Sequence, residues 1–261
     1  MNQTKERPKG TGTSEAPALW RTAAPEHFDT KIAWWIKAGA VALAVIAAIL
    51  WLDRPIAAWA LRSQPLAVRG DMVRELMLLE QYGQWTCSML VIVAVGMVDR
   101  AGRRKALAIA LGCLLTVLLT YLLKDILGRS RPAVIEFDAF PELVRVAGYP
   151  FTGAWTWGGP KIGFHGGSRW TSFPSAHTTG AFALSCGLAW FYPRGRGLFM
   201  LLAIITAVQR VLHGAHYLSD TIAGMGLAVL TMRWTLQAGL AGRLMACMPE
   251  KVRAWWMEGA E

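Results

Sequence analysis

The chain has 261 residues, of which 54% are hydrophobic and 17% are charged, and its mean hydropathy is +0.34. Soluble domains carry about 25% charged residues, so this composition favours a membrane protein over a soluble globular one. The net charge of +10 does not indicate a nucleic-acid partner, because the basic residues lie in short clusters between apolar runs. The four cysteines lack paired spacing, which argues against a disulfide framework or a zinc cluster.

The chain begins with a polar segment and continues with six apolar runs. Residues 1–31 are polar and mixed in charge, which predicts a disordered cytoplasmic tail without a cleavable signal peptide. A transmembrane helix needs about 20 apolar residues, and six runs reach or approach that length. These runs are 32–52, 82–98, 105–123, 178–192, 198–212 and 218–236.

Basic clusters between the apolar runs predict the orientation of the chain. The clusters are "DRAGRRK" after the second run, "PRGRG" after the fourth, and the C-terminal tail 241–261. By the positive-inside rule all three lie in the cytoplasm, so the segments 53–81, 124–177 and 213–217 face outward. We expect one all-α domain over residues 32–240, a six-helix transmembrane bundle whose segment 53–81 is an amphipathic interfacial stretch.

Several ionisable side chains lie at the outward ends of the predicted spans. An ionisable group at a bilayer centre costs roughly 2.5–3.5 kcal/mol on insertion scales, so each such group calls for a reason. The predicted threading brings all of them to the same membrane boundary, although the sequence separates them widely. They are Lys124, Arg131, His177, Arg210, His216 and Asp220.

The cations among these residues are suited to binding a phosphoryl group. Lys124, Arg131 and Arg210 supply positive charge, and an arginine can bind two phosphate oxygens at once. Ser175 stands where the fourth apolar run begins, so its hydroxyl and the amides of residues 175–177 are expected to add donors at a helix N-terminus.

The two histidines and the aspartate fit nucleophilic and acid–base roles. His216 and Asp220 are four residues apart, which predicts that they share one helical face. The carboxylate can then hold one imidazole N–H and leave the other nitrogen free to attack phosphorus. His177 remains as a second imidazole that can protonate a departing oxygen.

Three motifs in this sequence resemble those of a known family. "KDILGRSRP" fits K-x6-R-P, "PSAH" fits P-S-x-H, and "RVLHGAHYLSD" fits R-x5-H-x3-D. In this order they resemble the signature motifs of the type 2 phosphatidic acid phosphatase superfamily, whose members include bacterial lipid phosphatases, acid phosphatases and vanadium-dependent haloperoxidases. Two positions depart from the usual pattern: Ala176 replaces a glycine, and Gln209 stands where serine is common.

The resemblance implies a role for each site residue. His216 forms a phosphohistidine and Asp220 orients it, while His177 protonates the leaving group and then activates water. The phosphoryl oxygens are bound by residues from all three motifs and by one backbone amide: Lys124, Arg131, Ser175, Ala176 and Arg210. No metal and no cofactor is expected, because cations and amides neutralise the phosphoryl charge.

Less specific interpretations of the same residues remain open from the sequence. Lys124 and Arg131 could anchor a helix end at lipid headgroups, and His177 could sit in a capping turn. His216 and Asp220 could form a buried polar pair between helices, or could join His213 at a metal site.

The sequence therefore predicts an integral membrane phosphatase acting on a lipid phosphate or lipid pyrophosphate. The charge asymmetry suggests a bacterial inner membrane with the site facing the periplasm, and the Trp-rich segment 148–170 is expected to cover the lipid headgroup. Candidate substrates are phosphatidic acid, phosphatidylglycerol phosphate, undecaprenyl pyrophosphate and lipid A. Alternatives are a phosphotransferase using the same site and a non-catalytic phospholipid binder or transporter, and the oligomeric state stays open.

Overall fold

The computed structural model describes residues 31–63, 71–99, 101–127, 129, 131–134 and 171–252. These residues form helices and the short turns between them, which confirms the predicted all-α class for this part of the chain. The predictions for the N-terminal tail, for the Trp-rich segment 148–170 and for residues 253–261 lie outside the described residues.

The described helices follow one another in a simple order. They are α1 (Lys31–Ala47), α2 (Asp53–Ser63), α3 (Asp71–Leu78), α4 (Trp85–Val98), α5 (Gly102–Leu127), α6 (Ala176–Phe191), α7 (Arg196–Leu212), α8 (Leu218–Gln237) and α9 (Leu240–Ala246). A π-helical turn, Ala48–Leu52, joins α1 to α2, and a 3₁₀ helix, Leu79–Gly83, leads into α4.

Each of the six predicted spans coincides with a described helix. Among the described residues, three helical stretches are long and apolar enough to cross a bilayer by themselves: Ala33–Ser63, Gly102–Leu127 and Pro193–Leu212. The chain is therefore embedded in a membrane, while six crossings stay a prediction.

The first helix continues past residue 52, where the sequence analysis ended it. The ring of Pro55 removes an N–H from the helical ladder, and the widened π turn Ala48–Leu52 precedes it without ending the helix. As a result, Asp53 is carried inside the bundle and is fully buried rather than lying at the interface.

Helix α6 lies at the centre of the bundle and packs against α5, α7 and α8. Small residues make this packing close: Ala181 of α6, Ala203 of α7 and Ala228 of α8 are wholly buried together. Small residues are typical of helix interfaces in membranes, because they let backbones approach each other.

The outer faces of the helices are strongly apolar. Met97 and Val98 are 81% and 85% exposed, and Leu90 and Leu118 also point away from the protein. Contiguous apolar surface of this kind would be unfavourable in water, at about 25 cal/mol per Å². These faces are therefore suited to contact with lipid chains.

A polar cluster joins two loops at one end of the bundle. Lys105 Nζ lies 2.6 Å from Asp99 Oδ2, and the Tyr192 hydroxyl donates to the same oxygen at 2.9 Å. These contacts bring the α4–α5 loop beside the end of α6, and both segments belong to the predicted cytoplasmic clusters. Because α5 runs the length of the bundle from here, Lys124 lies at the opposite end.

Helix α9 extends the bundle beyond the boundary predicted at residue 240. Gly239 adopts φ +62° after α8, and the chain then turns into α9. Ala241 and Met245 are buried, and the helix packs against α5 and α8. Residues 241–246 of the predicted C-terminal tail thus belong to a helix that packs on the bundle.

The close packing of Gly83 leads to a stability prediction. A Cβ atom on Gly83 would lie 2.5 Å from the His177 carbonyl oxygen and 2.9 Å from Thr206 Cγ2. We expect Gly83→Ala to lower the free energy of unfolding by about 1–3 kcal/mol, because a backbone must shift to admit the methyl group. The measurement is the thermal unfolding midpoint of the purified protein in detergent.

Gly197→Ala is the matched control, because a Cβ atom on this exposed glycine of α7 would meet nothing within 4 Å. We expect this variant to unfold at the same or a slightly higher temperature, since alanine favours the helix. Equal midpoints for the two variants would show that the packing at Gly83 is not tight.

Candidate active site

The structure gathers the predicted site residues at one end of the bundle, opposite the Asp99–Lys105 loop. They lie where α5 and α7 end and where α6 and α8 begin: Lys124, Arg131, Ser175, Ala176, His177, Arg210, His216 and Asp220. The charges of Lys124 and Arg131 act on both imidazoles, so these four groups share one electrostatic environment.

His216 is held in the tight turn between α7 and α8. Gly214 has φ +64°, a conformation that favours glycine, and it lets the chain reverse within a few residues. The amides of Ala215 and His216 then donate to the Arg210 carbonyl oxygen, each at 3.2 Å. His216 is only 2% exposed, and it precedes helix α8 rather than sharing a helical face with Asp220.

The imidazole of His216 faces Asp220 and Ser172. Nδ1 of His216 lies 3.5 Å from Asp220 Oδ2 and 3.4 Å from Ser172 Oγ. Both distances are longer than a normal hydrogen bond, and the Ser172 hydroxyl itself donates to Asp220 Oδ2 at 2.5 Å. The predicted pairing of His216 with Asp220 is therefore present, with Ser172 as a third member.

Burial determines the charge of His216. Desolvation lowers the pKa of this imidazole to about 4, and the positive charges of Lys124 and Arg131 act in the same direction against the opposing effect of Asp220. The ring is therefore neutral at pH 7. With Nδ1 directed at a carboxylate, the proton belongs on Nδ1, and Nε2 carries a free lone pair.

Asp220 is fixed by donors on both carboxylate oxygens. Oδ1 accepts from Arg129 Nη1 at 2.5 Å, and Oδ2 accepts from the Tyr217 amide at 2.9 Å as well as from Ser172. The side chain is fully buried. Its orientation therefore does not depend on His216 alone.

Arg129 connects Asp220 to Asp53, the first residue of α2. Its Nη2 donates to Asp53 Oδ2 at 2.7 Å, and its Nη1 donates to Ser219 Oγ at 2.7 Å as well as to Asp220. Ser219 closes the network, because its amide and hydroxyl donate to the two oxygens of Asp53 at 2.9 and 2.5 Å. Arg129 also lies over the Tyr217 ring, 4.0 Å from the centroid.

The three predicted phosphate-binding cations have different surroundings. Lys124 Nζ donates to the Thr171 carbonyl oxygen at 2.5 Å, and Arg210 forms an ion pair with Glu80. In the part of the chain that the structure describes, Arg131 has no hydrogen-bonded partner, and burial together with the charge of Arg210 lowers its pKa. Such a concentration of like charge favours an anionic ligand.

His177 is in contact with two residues from the segment before α4. Gln84 Nε2 lies 2.8 Å from His177 Nε2, and Glu80 Oε1 lies 3.6 Å from the same nitrogen. The His177 side chain is 23% exposed, so it is more accessible than His216. The Leu79–Gly83 helix thus reaches the site by packing against the start of α6.

Ser175 is the N-cap of α6. Its hydroxyl oxygen lies 3.5 Å from the Thr178 amide and accepts from the Thr178 hydroxyl at 3.1 Å. The Ser175 amide donates to the Asp220 carbonyl oxygen at 3.0 Å, so it is not available to an anion as the sequence analysis expected. The amides of Ala176 and His177 belong to the first helical turn, which leaves them without intrahelical acceptors.

Sequence reasoning missed the residues that hold Asp220. Arg129 lies inside the quoted motif "KDILGRSRP" and Ser172 lies just before "PSAH", yet neither was singled out. Asp53 gave a usable signal, because it is an acidic residue directly after an apolar run.

Sequence reasoning also missed Glu80, which lies in the segment assigned to the interface, and Gln84, which lies at the start of the second predicted span. Their sequence, "MLLEQYGQ", has the polar and apolar mixture of an ordinary interfacial stretch. Only the tertiary packing of Gly83 against His177 brings these side chains to the pocket.

The alternative metal site at His213 is not formed. Among the residues that the structure describes, no three His, Cys, Asp or Glu side chains gather as metal ligands. His213 is exposed, whereas His216 and Asp220 are buried.

A model of the PAP2 superfamily matches residues 105–242, which is more than half of the chain. This chain belongs to the PAP2 superfamily. The resemblance based on the three motifs is thereby confirmed, and every predicted site residue lies within the matched range.

Two curated relatives are similar over part of the chain. The lipid A 1-phosphatase of Rhizobium johnstonii is 37% identical over 108 residues, covering 41% of this chain and 37% of the relative. The lipid A 1-phosphatase of Rhizobium etli is 36% identical over 108 residues, covering 41% of this chain and 39% of the relative. The alignment thus spans less than half the length of each relative. No solved structure matches the chain significantly.

The charge network around Arg129 predicts a large effect on stability. We expect Arg129→Gln to lower the free energy of unfolding by about 3–5 kcal/mol, because two fully buried carboxylates, Asp53 and Asp220, lose their cation. Thermal unfolding in detergent measures the change.

Arg74→Gln is the matched control, because it removes the same charge at an exposed position of α3. It should change the free energy of unfolding by no more than about 0.5 kcal/mol. Similar midpoints for both variants would contradict a structural role of Arg129.

Proposed function

We propose that this chain is an integral membrane phosphatase that removes phosphate from a lipid phosphate monoester or pyrophosphate through a phosphohistidine intermediate. One observation carries the proposal: His216 is buried and neutral, its Nδ1 faces Asp220 and Ser172, and its environment holds several cations. A neutral imidazole with a free Nε2 in a positively charged pocket has the properties required of a nucleophile toward phosphorus.

In the first step, Nε2 of His216 attacks phosphorus and the bond to the lipid oxygen breaks. Positive charge develops on the imidazole as the new N–P bond forms, and the Asp220 carboxylate stabilises it through Nδ1–H. The leaving oxygen takes a proton from His177. Burial and the charge of Arg210 lower the pKa of this imidazole to about 4, so its protonated form depends on the negative phosphoryl group that binds beside it.

In the second step, water hydrolyses the phosphohistidine. Having given up its proton, His177 accepts one from the attacking water, and the N–P bond to His216 breaks. Inorganic phosphate leaves, and both imidazoles return to their initial protonation states. A group that donates a proton in one step and accepts one in the next suits an accessible position such as that of His177.

Phosphoryl binding is assigned to the side chains of Lys124, Arg131 and Arg210, with the amide of Ala176 and the hydroxyl of Ser175 at the start of α6. The three cations neutralise the developing charge on the phosphoryl oxygens, so the proposed reaction uses no metal ion. Arginine is well suited here, because its guanidinium group can bind two oxygens in one plane.

The proposed substrate is a phosphate carried by a membrane lipid, and the relatives favour lipid A among the candidates. Both relatives bear the name lipid A 1-phosphatase. The basic clusters lie at the end of the bundle opposite the pocket, so a cytoplasmic position for them exposes the site on the periplasmic side of a bacterial inner membrane.

The proposal predicts that activity depends on His216 and does not depend on added metal. Purified protein in detergent should release phosphate from at least one of lipid A, phosphatidic acid, phosphatidylglycerol phosphate and undecaprenyl pyrophosphate, also in the presence of EDTA. We expect His216→Ala to lower kcat by about 10³-fold or more, because the nucleophile is lost. Inorganic phosphate release measures both effects.

His213→Ala is the control, since His213 is an exposed histidine three residues away on the same turn. It should retain wild-type turnover. Continued turnover by His216→Ala would overturn the proposed mechanism, and transfer of labelled phosphate to a second lipid instead of water would identify a phosphotransferase.

The low pKa of His216 predicts the acid limb of the pH profile. Its pKa of about 4 means that the nucleophile stays neutral above this value and is lost only as the pH falls through it. We therefore expect no loss of kcat/KM as the pH falls from 6.5 to 5, where an ordinary imidazole with a pKa near 6.5 would already become charged and cease to be a nucleophile. A fall of kcat/KM centred near pH 6.5 would show that burial does not keep this ring neutral.

A further inference from the structure

Glu80 is an acidic side chain inside the pocket proposed to bind a phosphoryl group. Its carboxylate forms an ion pair with Arg210, and its Oε1 lies 3.6 Å from Nε2 of His177. These two partners have different proposed roles, since Arg210 is one of the phosphate-binding cations and His177 is the acid. A single carboxylate oxygen is thus paired with a proposed phosphate-binding cation and lies close to the proposed acid.

A carboxylate and a phosphoryl group compete for the same kind of partner. Both offer only acceptor oxygens and negative charge, and both bind arginine through the same fork of N–H donors. Arg210 has one side chain with which to bind either anion. While it is paired with Glu80, it is not free to bind a substrate oxygen in the same geometry.

The positive charges around the pocket favour a bound anion. Lys124 and Arg131 act electrostatically on His177 and His216, and Arg210 adds its charge to that of Arg131. The Glu80 carboxylate offsets one of these charges. A phosphate monoester brings a charge of about −1.5 to −2 and therefore neutralises the pocket more completely than a carboxylate does.

The local structure allows the Glu80 side chain to leave while its backbone stays in place. Glu80 belongs to the short Leu79–Gly83 helix, whose Gly83 is packed tightly on the His177 carbonyl oxygen. Its side chain, in contrast, is 18% exposed and has several rotatable bonds. Gln84 lies 2.8 Å from His177 and can keep this ring oriented after the carboxylate moves.

We propose that the Glu80 carboxylate takes the place of a phosphoryl oxygen on Arg210 and is displaced from this arginine, and from its position near His177, when a phosphate group binds. The inference rests on the proposed function, because it takes the pocket as a phosphate site. The Glu80 carboxylate then competes with phosphate for Arg210. This competition lowers the apparent affinity for phosphate groups, so that only strongly anionic headgroups displace the carboxylate.

Binding of inorganic phosphate to the purified protein in detergent tests this proposal, with isothermal titration calorimetry as the measurement. Apparent affinity falls in proportion to the fraction of molecules that are ready to bind, so occupancy by Glu80 in about nine molecules of ten corresponds to roughly tenfold. We expect Glu80→Gln and Glu80→Ala to bind phosphate roughly tenfold more tightly than the wild type, with unchanged unfolding midpoints.

Glu75→Gln is the matched control, because it removes the same charge from an exposed position of α3. It should leave phosphate affinity unchanged. Unchanged or weaker binding by the Glu80 variants would overturn the proposal, since weaker binding means that Glu80 positions Arg210 for the substrate. Equal tightening in the Glu75 and Glu80 variants would also overturn it, because general surface charge would then explain the effect.

The same experiment separates this inference from the proposed function. Calorimetry reports binding without turnover, so the Glu80 variants can be compared even if no lipid in the panel is hydrolysed. Wild-type protein that binds phosphate but releases none from any lipid would refute the proposed function and leave the displacement of Glu80 intact.

Discussion

The architecture of the site depends on one buried cation, Arg129, which lies between two buried carboxylates. Its contacts with Asp53 and Asp220 join the start of α2 to the start of α8, and Ser219 bridges the same two helices. Charges without solvent are unfavourable unless they are paired and fully hydrogen bonded. The helices around Arg129 therefore have few alternative arrangements, and this restriction fixes the carboxylate that faces His216.

Asp220 and the nearby cations set the charges around the imidazole of His216. Asp220, whose oxygens accept from protein donors, faces Nδ1, and the positive charges of Lys124 and Arg131 act on the same ring. The proposed nucleophile is thus subject to one fixed carboxylate and to several cations. Glu80 is a second acidic group near these cations, and its ion pair with Arg210 is the contact that we propose a substrate phosphate displaces.

The sequence was sufficient for the features that depend on local patterns and motif spacing. Apolar runs predicted the helices, and the three motifs identified Lys124, Arg131, His177, Arg210 and His216 as one group. Contacts between distant segments could not be predicted, since nothing local links Asp53 to Arg129 across 76 residues or Glu80 to Arg210 across 130. The continuation of the helix into α2 was missed because the apolar run ends at Leu52, whereas the helical backbone passes through a π turn and continues.

Part of the site is supplied by side chains that lie outside the region matched by the family model. Asp53, Glu80 and Gln84 all precede residue 105, where the match to the PAP2 superfamily begins. His177 and His216 lie within the matched range, whereas partners of Arg129, Arg210 and His177 come from the preceding segment. Substitutions in that leading segment can therefore alter the surroundings of the proposed reacting groups while the three motifs stay intact.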